Sequence, residues 1–333
     1  MEIMVRSSGL SGIMRLMESF EMDINDLLRK NKITQEQLQN TESFIPLSSV
    51  TNILEECAVL TNCDSLGLEL SKYQNIDVLG PIAMVIKNAK TMGDAIALAT
   101  KYLHIHSPGI VLKVYEQSSL VSGAIELSLE VNSGKGSSSK QCLELCVADL
   151  HKILKLIIGE SYVPLKVAFS HEKLSNSYRK FFNSGVVFNH FRSGIHVSPE
   201  LLEVSIKNRS DDYLKTAEEY LKNNYELRNE EVDLKVKRML LRFLGTEYAS
   251  KANICKALAY HPRTLQRQLL KRGTSFEKLK EEVRKEVLYT YLTKTTISYS
   301  KLTEILGYSE TSSLSRACKD WYGRTMTEIR TSN

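Results

Sequence analysis

Two short stretches near the carboxyl end of the chain carry side chains suited to hydrogen bonding with the edges of DNA bases. One runs from Ala257 to Arg267 and continues to Gly273, and the other runs from Ile305 to Arg316 and continues to Gly323. In each, a short apolar helix is followed by a turn after a tyrosine and by a second helix with the pattern Leu-X-Arg. The copies start about 50 residues apart, which indicates an internal duplication.

A period of 100° per residue divides the last helix of the second copy into two faces. One arc carries Leu314, Ala317, Cys318 and Trp321. The opposite arc carries Ser312, Ser315, Arg316 and Lys319. Short hydroxyl side chains let a helix enter a major groove about 12 Å wide, and arginine donates two hydrogen bonds to guanine O6 and N7. The pattern predicts a helix that packs on one face and contacts DNA with the other.

The last helix of the first copy shows the same division. Leu265 and Leu269 are predicted to pack. The residues expected to project together are Arg263, Gln266, Arg267 and Lys271. Leu270 interrupts this polar face, and we expect it to contact the next helix instead.

The segment between the two copies predicts one long helix over residues 276–292, roughly 25 Å in length at about 1.5 Å per residue. A rigid spacer of that length suits two helices about 34 Å, one DNA turn, apart. Ser298 is a suitable N-cap for the following helix, and Gly307 is expected to end it.

Charge is distributed unevenly along the 333 residues. Residues 234–333 hold 20 lysine and arginine residues against 9 acidic ones, whereas the preceding 233 residues hold 24 against 30. A basic carboxyl-terminal third beside a mildly acidic remainder suggests nucleic-acid contact at one end of the chain.

Residues 1–205 predict an α+β domain with an antiparallel sheet. Helices are expected around residues 13–20, 46–57, 81–90, 92–104, 140–158 and 174–183, and strands around residues 111–115, 125–131, 165–170, 186–191 and 194–197. A loop is expected over residues 133–139. The charged segment 206–232 predicts a helical linker, and residues 233–333 an all-α domain.

Several function classes lack support in the sequence. Six scattered cysteines, Cys57, Cys63, Cys142, Cys146, Cys255 and Cys318, show no disulfide framework. Cys142 and Cys146 stand one helical turn apart. They are interpreted either as a metal or redox site or as two small apolar residues on the core face of a helix. No secretory signal and no membrane span is predicted, so we expect a cytoplasmic protein without cofactors or metals. No hydrolase triad, zinc motif or phosphate loop is present, and a DNA-modifying or repair enzyme is only a remote alternative.

With these residues in view, the last hundred positions resemble the DNA-binding domain of the AraC/XylS family of transcription regulators. RTLQRQLLKRGTSFEKLKEEVRKE resembles the family's first recognition helix and linker helix, and LTEILGYSETSSLSRACKDWYGRT its second unit. The resemblance implies base contacts by Arg263, Gln266 and Arg267 in one groove and by Thr311, Ser312, Ser313 and Arg316 in the next. It also implies phosphate contacts by Thr264, Lys271 and Lys319.

The chain departs from the family pattern at a few positions. The family commonly has Phe where Leu314 and Cys318 stand, Pro at Met326 and Tyr at Ile329. Smaller core side chains around Trp321 are expected to loosen the second unit. His261-Pro262 replaces a small capping residue, although proline suits the first helical position.

The amino-terminal region resembles the sensor domain named for arabinose binding in the branch with ornithine-utilisation-type regulators. LGPIAMVIKNAKTMGDAIALATKYL, PLKVAFSHE and YRKFFNSGVVFNHFRSGIHVSPELL carry this resemblance. It implies effector binding or dimerisation without identifying the effector. Polar-tipped residues near predicted core elements are Tyr102, His104, His106, Tyr115 and His151, none of which is assigned to a pocket.

Two regulator hypotheses remain open. One is a sequence-specific regulator, an activator by the resemblance, that binds double-stranded promoter DNA in response to a small-molecule effector. The other is an effector-independent regulator whose amino-terminal domain only dimerises or contacts a protein such as RNA polymerase. The sequence leaves open whether two copies pair, and pairing through this domain would raise affinity for tandem sites.

Overall fold

The protein is described here by a computed structural model that covers residues 3–133, 139–225, 231–258 and 260–331. The chain forms two compact units, Met1–Glu226 and Leu227–Asn333. Residues 134–138 of the expected loop and residues 226–230 of the expected linker lie outside the described residues.

The first unit combines helices with a small number of strands. Its helices are α1 (Ile13–Ser19), α2 (Asn25–Lys30), α3 (Gln35–Gln39), α4 (Leu47–Leu60), α5 (Leu66–Ser71), α6 (Pro81–Lys87), α7 (Met92–Tyr102), α8 (Lys140–Ile158), α9 (Tyr178–Phe182) and α10 (Asp211–Asn224). Its strands are β1 (Met4–Arg6), β2 (Phe44–Pro46), β3 (Ile110–Tyr115), β4 (Ile125–Val131), β5 (Lys166–Ala168), β6 (Val186–Val187) and β7 (Ser193–Val197). This is the α+β class that the sequence predicts.

Five strands form one sheet in the order β3-β4-β7-β5-β6. The predicted hairpin is confirmed, because β3 and β4 pair antiparallel with Leu112 opposite Leu129. Strand β7 joins the other edge of β4, and β5 pairs antiparallel with β7. The pairing of β5 with β6 is parallel, which is a departure from the predicted antiparallel sheet. The intervening helix α9 provides the crossover that a parallel pair requires.

Local sequence signals explain where the larger helices begin. Pro46 precedes α4, and the apolar side chains at helical spacing along α4 are buried. At α7, the Thr91 hydroxyl accepts from the Asp94 backbone N–H while the Asp94 carboxylate accepts from that of Thr91, which is a capping box. Helix α9 is shorter than predicted, because Ser175 accepts a hydrogen bond from the Ser177 backbone and favours a turn there.

Helix α8 crosses the core of this unit. A Cβ atom on Gly67 would lie 2.2 Å from the Gln141 carbonyl oxygen, so only glycine lets α5 approach α8 this closely. Cys142 is buried, and Cys146 is half-buried against the same core. The hydrogen bond with Cys142 and burial raise the pKa of Cys146, which disfavours a reactive thiolate.

Two features of the first unit differ from the expectations. The antiparallel pair β1–β2 was not predicted, because each strand has three residues and the partners lie about 40 positions apart. Helix α10 occupies the expected linker, yet Ala217 and Leu221 are buried in the core of the first unit. Its charged outer face conceals this short apolar contact in the sequence.

The second unit is helical throughout its described residues. Its helices are α11 (Val232–Phe243), α12 (Lys251–Ala257), α13 (Pro262–Lys271), α14 (Phe276–Lys294), α15 (Tyr299–Ile305), α16 (Thr311–Tyr322) and α17 (Met326–Thr331). Within the described parts of both units, no helix is both long and apolar enough to span a lipid bilayer.

Candidate nucleic-acid interface

The first helix-turn-helix consists of α12 and α13. Ser250 caps α12 by accepting a hydrogen bond from the Asn253 backbone N–H. His261 caps α13, because its Nδ1 atom accepts from the Arg263 backbone N–H at 3.4 Å. Pro262 stands at the first helical position, where its missing N–H costs nothing. The His-Pro pair therefore takes the place of the small capping residue that is more usual in the family pattern.

One face of α13 packs and the other faces solvent. Leu265 and Leu269 are fully buried. The exposed polar side chains of this helix are Arg263, Gln266, Arg267 and Lys271, with Thr264 half-buried beside them. Among the described residues, Arg263, Gln266 and Arg267 have no side-chain hydrogen bond or ion pair. Their donors are available to an external ligand.

Leu270 lies on this same exposed face, with 63% of its surface accessible. The expectation that it contacts the next helix is wrong. Seven residues separate Leu270 from Arg263, which is close to two full turns, so helical geometry sets it in line with the polar side chains. An apolar group here suits contact with a thymine methyl.

Arg272, one residue beyond α13, provides a contrast. Its guanidinium forms ion pairs with Glu231 and Asp233, the second at 2.8 Å from Nε to Oδ1. These pairs attach the end of α13 to the start of α11. Around the first helix-turn-helix, Arg272 therefore stabilises packing, whereas Arg263 and Arg267 have no ion pair within the described part of the chain.

The second helix-turn-helix consists of α15 and α16. Ser298 caps α15 through the Lys301 backbone N–H, as the sequence predicts. Leu314 and Cys318 are fully buried, and burial raises the pKa of Cys318 to about 11, so its thiol stays protonated. The predicted packing face is confirmed. The opposite face exposes Ser312, Ser315, Arg316 and Lys319, with Thr311 and Ser313 half-buried.

Hydroxyl groups at the start of α16 already have partners. Thr311 and Thr303 share a hydrogen bond of 3.2 Å between their hydroxyl oxygens. The Ser312 hydroxyl donates to the carboxylate of Glu310, the N-cap residue, at 3.0 Å. Glu310 adds a negative charge where α13 has only neutral and basic groups. Arg316 and Lys319 remain unpaired among the described residues.

Helix α14 supports both helix-turn-helix motifs through two side chains that the sequence pattern did not single out. Lys280 donates from Nζ to the Ala249 carbonyl before α12 at 2.9 Å. Arg284 donates to the carbonyl oxygens of Leu306 and Gly307 at 2.8 and 2.7 Å, and thus holds the turn between α15 and α16. Their spacing of four residues is the only sequence signal, and it is equally typical of a solvated helix face.

Polar contacts also join α16 to α14. The Trp321 indole N–H donates to Glu281 at 2.7 Å, and the Tyr322 hydroxyl donates to the Lys285 carbonyl at 2.6 Å. The Cys318 thiol donates to the Arg324 carbonyl at 3.5 Å. These contacts attach the carboxyl end of α16 to α14 and to the turn that follows α16.

Comparisons with known proteins agree with this geometry. Residues 22–206 match the arabinose-binding domain of AraC transcription regulators, and residues 254–332 match a helix-turn-helix domain. The HTH-type transcriptional regulator VirS of Mycobacterium tuberculosis is 28% identical over 98% of this chain and 96% of its own length. The ornithine utilization regulator of Pseudomonas aeruginosa is 22% identical over 90% of this chain and 88% of its own length.

Among solved structures, the transcriptional regulator CdpR of Pseudomonas aeruginosa aligns over 92% of this chain and 96% of its own, with 18% identity and a TM-score of 0.44. The matched domains and the sequence relatives are those of transcription regulators and not of enzymes. The arabinose-binding-type domain alone accounts for more than half of the chain. The chain belongs to the AraC family of DNA-binding transcription regulators.

Proposed function

We propose that this regulator activates transcription in response to a small effector and contacts bases in two consecutive major grooves of promoter DNA. The observation that carries the DNA-binding part is the exposed face of α13. Its arginine and glutamine side chains have no partner among the described residues, whereas neighbouring Arg272 is engaged by two carboxylates. Unpaired donors in a row on one helix suit an external set of acceptors.

In the first groove, we assign base contacts to Arg263, Gln266 and Arg267. Arginine suits guanine O6 and N7, and glutamine suits adenine N6 and N7. Exposed Leu270 adds an apolar surface for a thymine methyl on the same face. This set favours a mixed site with guanine, adenine and thymine positions.

In the second groove, we assign base contacts to Thr311, Ser312, Ser313 and Arg316. The hydroxyl groups of Thr311 and Ser312 must exchange their present partners for a base. Arg316 is the long unpaired donor of this set. The phosphate contacts are assigned to Thr264, Lys271 and Lys319, whose short polar or cationic groups suit the DNA backbone.

The length of α14 supports simultaneous contact. Its 19 residues correspond to about 28 Å at about 1.5 Å per residue. One DNA turn is about 34 Å long, so a helix of this length is a suitable spacer between recognition helices in neighbouring grooves on one face of the duplex.

The effector part rests on the first unit. It matches a domain named for ligand binding, and one relative is named for ornithine utilization. We also propose RNA polymerase as a protein partner, and pairing of two copies would strengthen binding to tandem sites through effective concentration.

The DNA assignment is tested by selecting bound duplexes from a random-sequence library with the full chain. Two enriched blocks about one helical turn apart are expected, the first with the stronger sequence preference. Repeating the selection with Arg267→Ala should weaken the first block only. The matched control Arg272→Ala should leave the motif intact. Enrichment of a single block would contradict the two-groove assignment.

The effector assignment is tested by thermal unfolding of the full chain with a panel of metabolites. A bound effector raises the Tm by mass action and should alter affinity for the selected DNA. If every metabolite leaves both the Tm and DNA affinity unchanged, an effector-independent regulator that only dimerises or binds a protein partner replaces this proposal.

A further inference from the structure

The first unit contains a partly open cavity of about 110 Å³. Side chains from α4, α6, α7, α8 and the strands β1, β3 and β4 line it, together with the segment around Gln74 to Leu79. The lining residues that keep partial exposure lie mostly along α7 and α8. The cavity therefore belongs wholly to the domain assigned to effector binding.

Apolar side chains form almost all of this surface. Examples are Val50, Ile96, Leu112, Leu129, Leu150 and Ile153. None of the described lining residues is a lysine or an arginine. An ionised carboxylate or phosphate would lose its hydration here without gaining a cationic partner, so an uncharged ligand is favoured.

Three polar side chains reach the lining, and they differ in what they offer. Gln74 already donates its amide N–H groups to the carbonyls of Gly9 and Ser11, at 3.2 and 3.0 Å. Asp149 lies on α8, where burial raises its pKa to about 8, so it is mostly a neutral acid at pH 7. Neither group supplies a charge to the cavity at neutral pH.

His106 is the group that points to a ligand. It is 6% exposed, and its Nδ1 atom is buried without a hydrogen-bond partner. Burial, with a contribution from nearby Arg6, lowers the pKa of His106 to about 4, and the ring interacts with the Val78 backbone carbonyl. The ring is therefore neutral, and Nδ1 presents an unused acceptor lone pair.

A sugar is a poor match for this cavity despite the name of the domain family. Each buried hydroxyl without a hydrogen bond costs free energy, and a pentose presents several around its ring. His106 and Asp149 are too few to satisfy them. A dry apolar cavity of about 150 Å³ accommodates benzene. This cavity is smaller, at about 110 Å³, but it is partly open, so it suits at most a single ring or a short aliphatic chain.

We propose that the cavity binds a small, uncharged, mainly apolar molecule that carries one hydroxyl group, with the hydroxyl donating to His106 Nδ1. This ligand class rests on the proposed effector response and specifies its chemistry. Ala99 on α7 lines the cavity, while Ala97 on the same helix is exposed and does not. The two alanines provide a matched pair for testing the site.

The test uses the full chain and 4-fluorophenol as the probe, followed by ¹⁹F NMR titration, with fluorobenzene and L-arabinose as comparison compounds. Saturable binding of 4-fluorophenol is expected, about threefold to tenfold tighter than fluorobenzene because of one hydrogen bond. L-arabinose should not compete. Equal affinities for the two fluorinated rings, or competition by L-arabinose, would overturn the proposal without any variant being needed.

Variants then locate the bound probe. Ala99→Phe fills the cavity and should abolish binding, whereas Ala97→Phe should leave it unchanged. His106→Leu should reduce 4-fluorophenol to the affinity of fluorobenzene. Loss of binding in both alanine variants, or in neither, would show that the probe binds elsewhere and would refute the site.

Affinity for the selected DNA, measured on the same samples, separates the two proposals. Probe binding that leaves DNA affinity unchanged supports the ligand class and contradicts the effector response. No probe binding, combined with a metabolite that does alter DNA affinity, refutes the ligand class and supports the effector response.

Discussion

The two helix-turn-helix units share a design but differ in what their recognition helices offer to DNA. Helix α13 exposes long side chains that have no partner within the described protein. At the start of α16, two short hydroxyls are hydrogen-bonded to neighbours, and Glu310 adds a carboxylate. The two motifs thus share a scaffold and differ in the side chains that their exposed faces carry. We infer that the first helix-turn-helix determines most of the sequence preference and that the second helix-turn-helix mainly adds affinity.

The largest effect is expected from removing the central arginine of α13. Arg267→Ala should weaken binding to the selected site by about 1–3 kcal/mol, because a bidentate contact with guanine is lost. Arg316→Ala should cost less at the same site, since its neighbours in α16 contribute short contacts. Electrophoretic mobility shifts on selected and random duplexes measure both. If Arg267→Ala loses as much affinity on random DNA, or if Arg316→Ala has the larger effect, the proposed difference between the two helix-turn-helix motifs would be contradicted.

A second test removes the side chain of α14 that supports the second helix-turn-helix. Arg284→Ala breaks hydrogen bonds to the Leu306 and Gly307 carbonyls. It should destabilise the second helix-turn-helix by about 1.5–3 kcal/mol, the range for charged hydrogen bonds. Footprinting should then show protection lost at the second block and retained at the first. Lys278→Ala, an exposed position on the same helix, is the control. Equal loss of protection at both blocks would mean that α14 couples the two helix-turn-helix motifs, so that one cannot be destabilised without the other.

A smaller and uniform effect is expected at Lys319. Lys319→Ala should weaken selected and random DNA alike and reduce the slope of log affinity against log salt by about 1, because one phosphate contact releases about one counterion. Binding measured over a range of potassium chloride concentrations gives the slope. A slope equal to that of the unaltered protein would exclude a phosphate contact at this position.

The smallest effect is a gain. Glu310→Ser removes a carboxylate from the face that we propose for DNA contact and supplies a better N-cap for α16, so affinity at low salt should rise by about twofold. The gain should shrink at high salt, where the repulsion is screened. A loss of affinity confined to particular sequences would instead indicate that Glu310 accepts a hydrogen bond from a cytosine amino group.

Local patterns predicted the second unit well. Amphipathic spacing gave the buried positions of α13 and α16, Ser298 gave a helix start, and Gly273, Gly307 and Gly323 have the positive φ angles expected where helices end. The limits of this approach appear at Leu270, where periodicity indicated the polar face but not whether another helix covers it. Lys280 and Arg284 could not be identified, since a side chain bound to a distant carbonyl has the same spacing as one in solvent.

Non-local features of the first unit were harder to predict. The pair β1–β2 joins segments about 40 residues apart, and no periodicity within three residues can indicate such pairing. The cavity collects side chains from several helices and three strands, each of which resembles an ordinary core position in its own segment. His106 was one of several polar-tipped residues in the sequence. Only the folded arrangement distinguishes it, because its ring lines the cavity and its Nδ1 atom is buried without a partner.

The contact between Trp321 and Glu281 has a practical consequence. The chain has a single tryptophan, and it lies at the junction of α16 with α14. Intrinsic tryptophan fluorescence of the full-length protein therefore originates from one defined point in the second unit. Without any attached label, its emission wavelength and quenching report how that junction responds to temperature, denaturant or bound DNA.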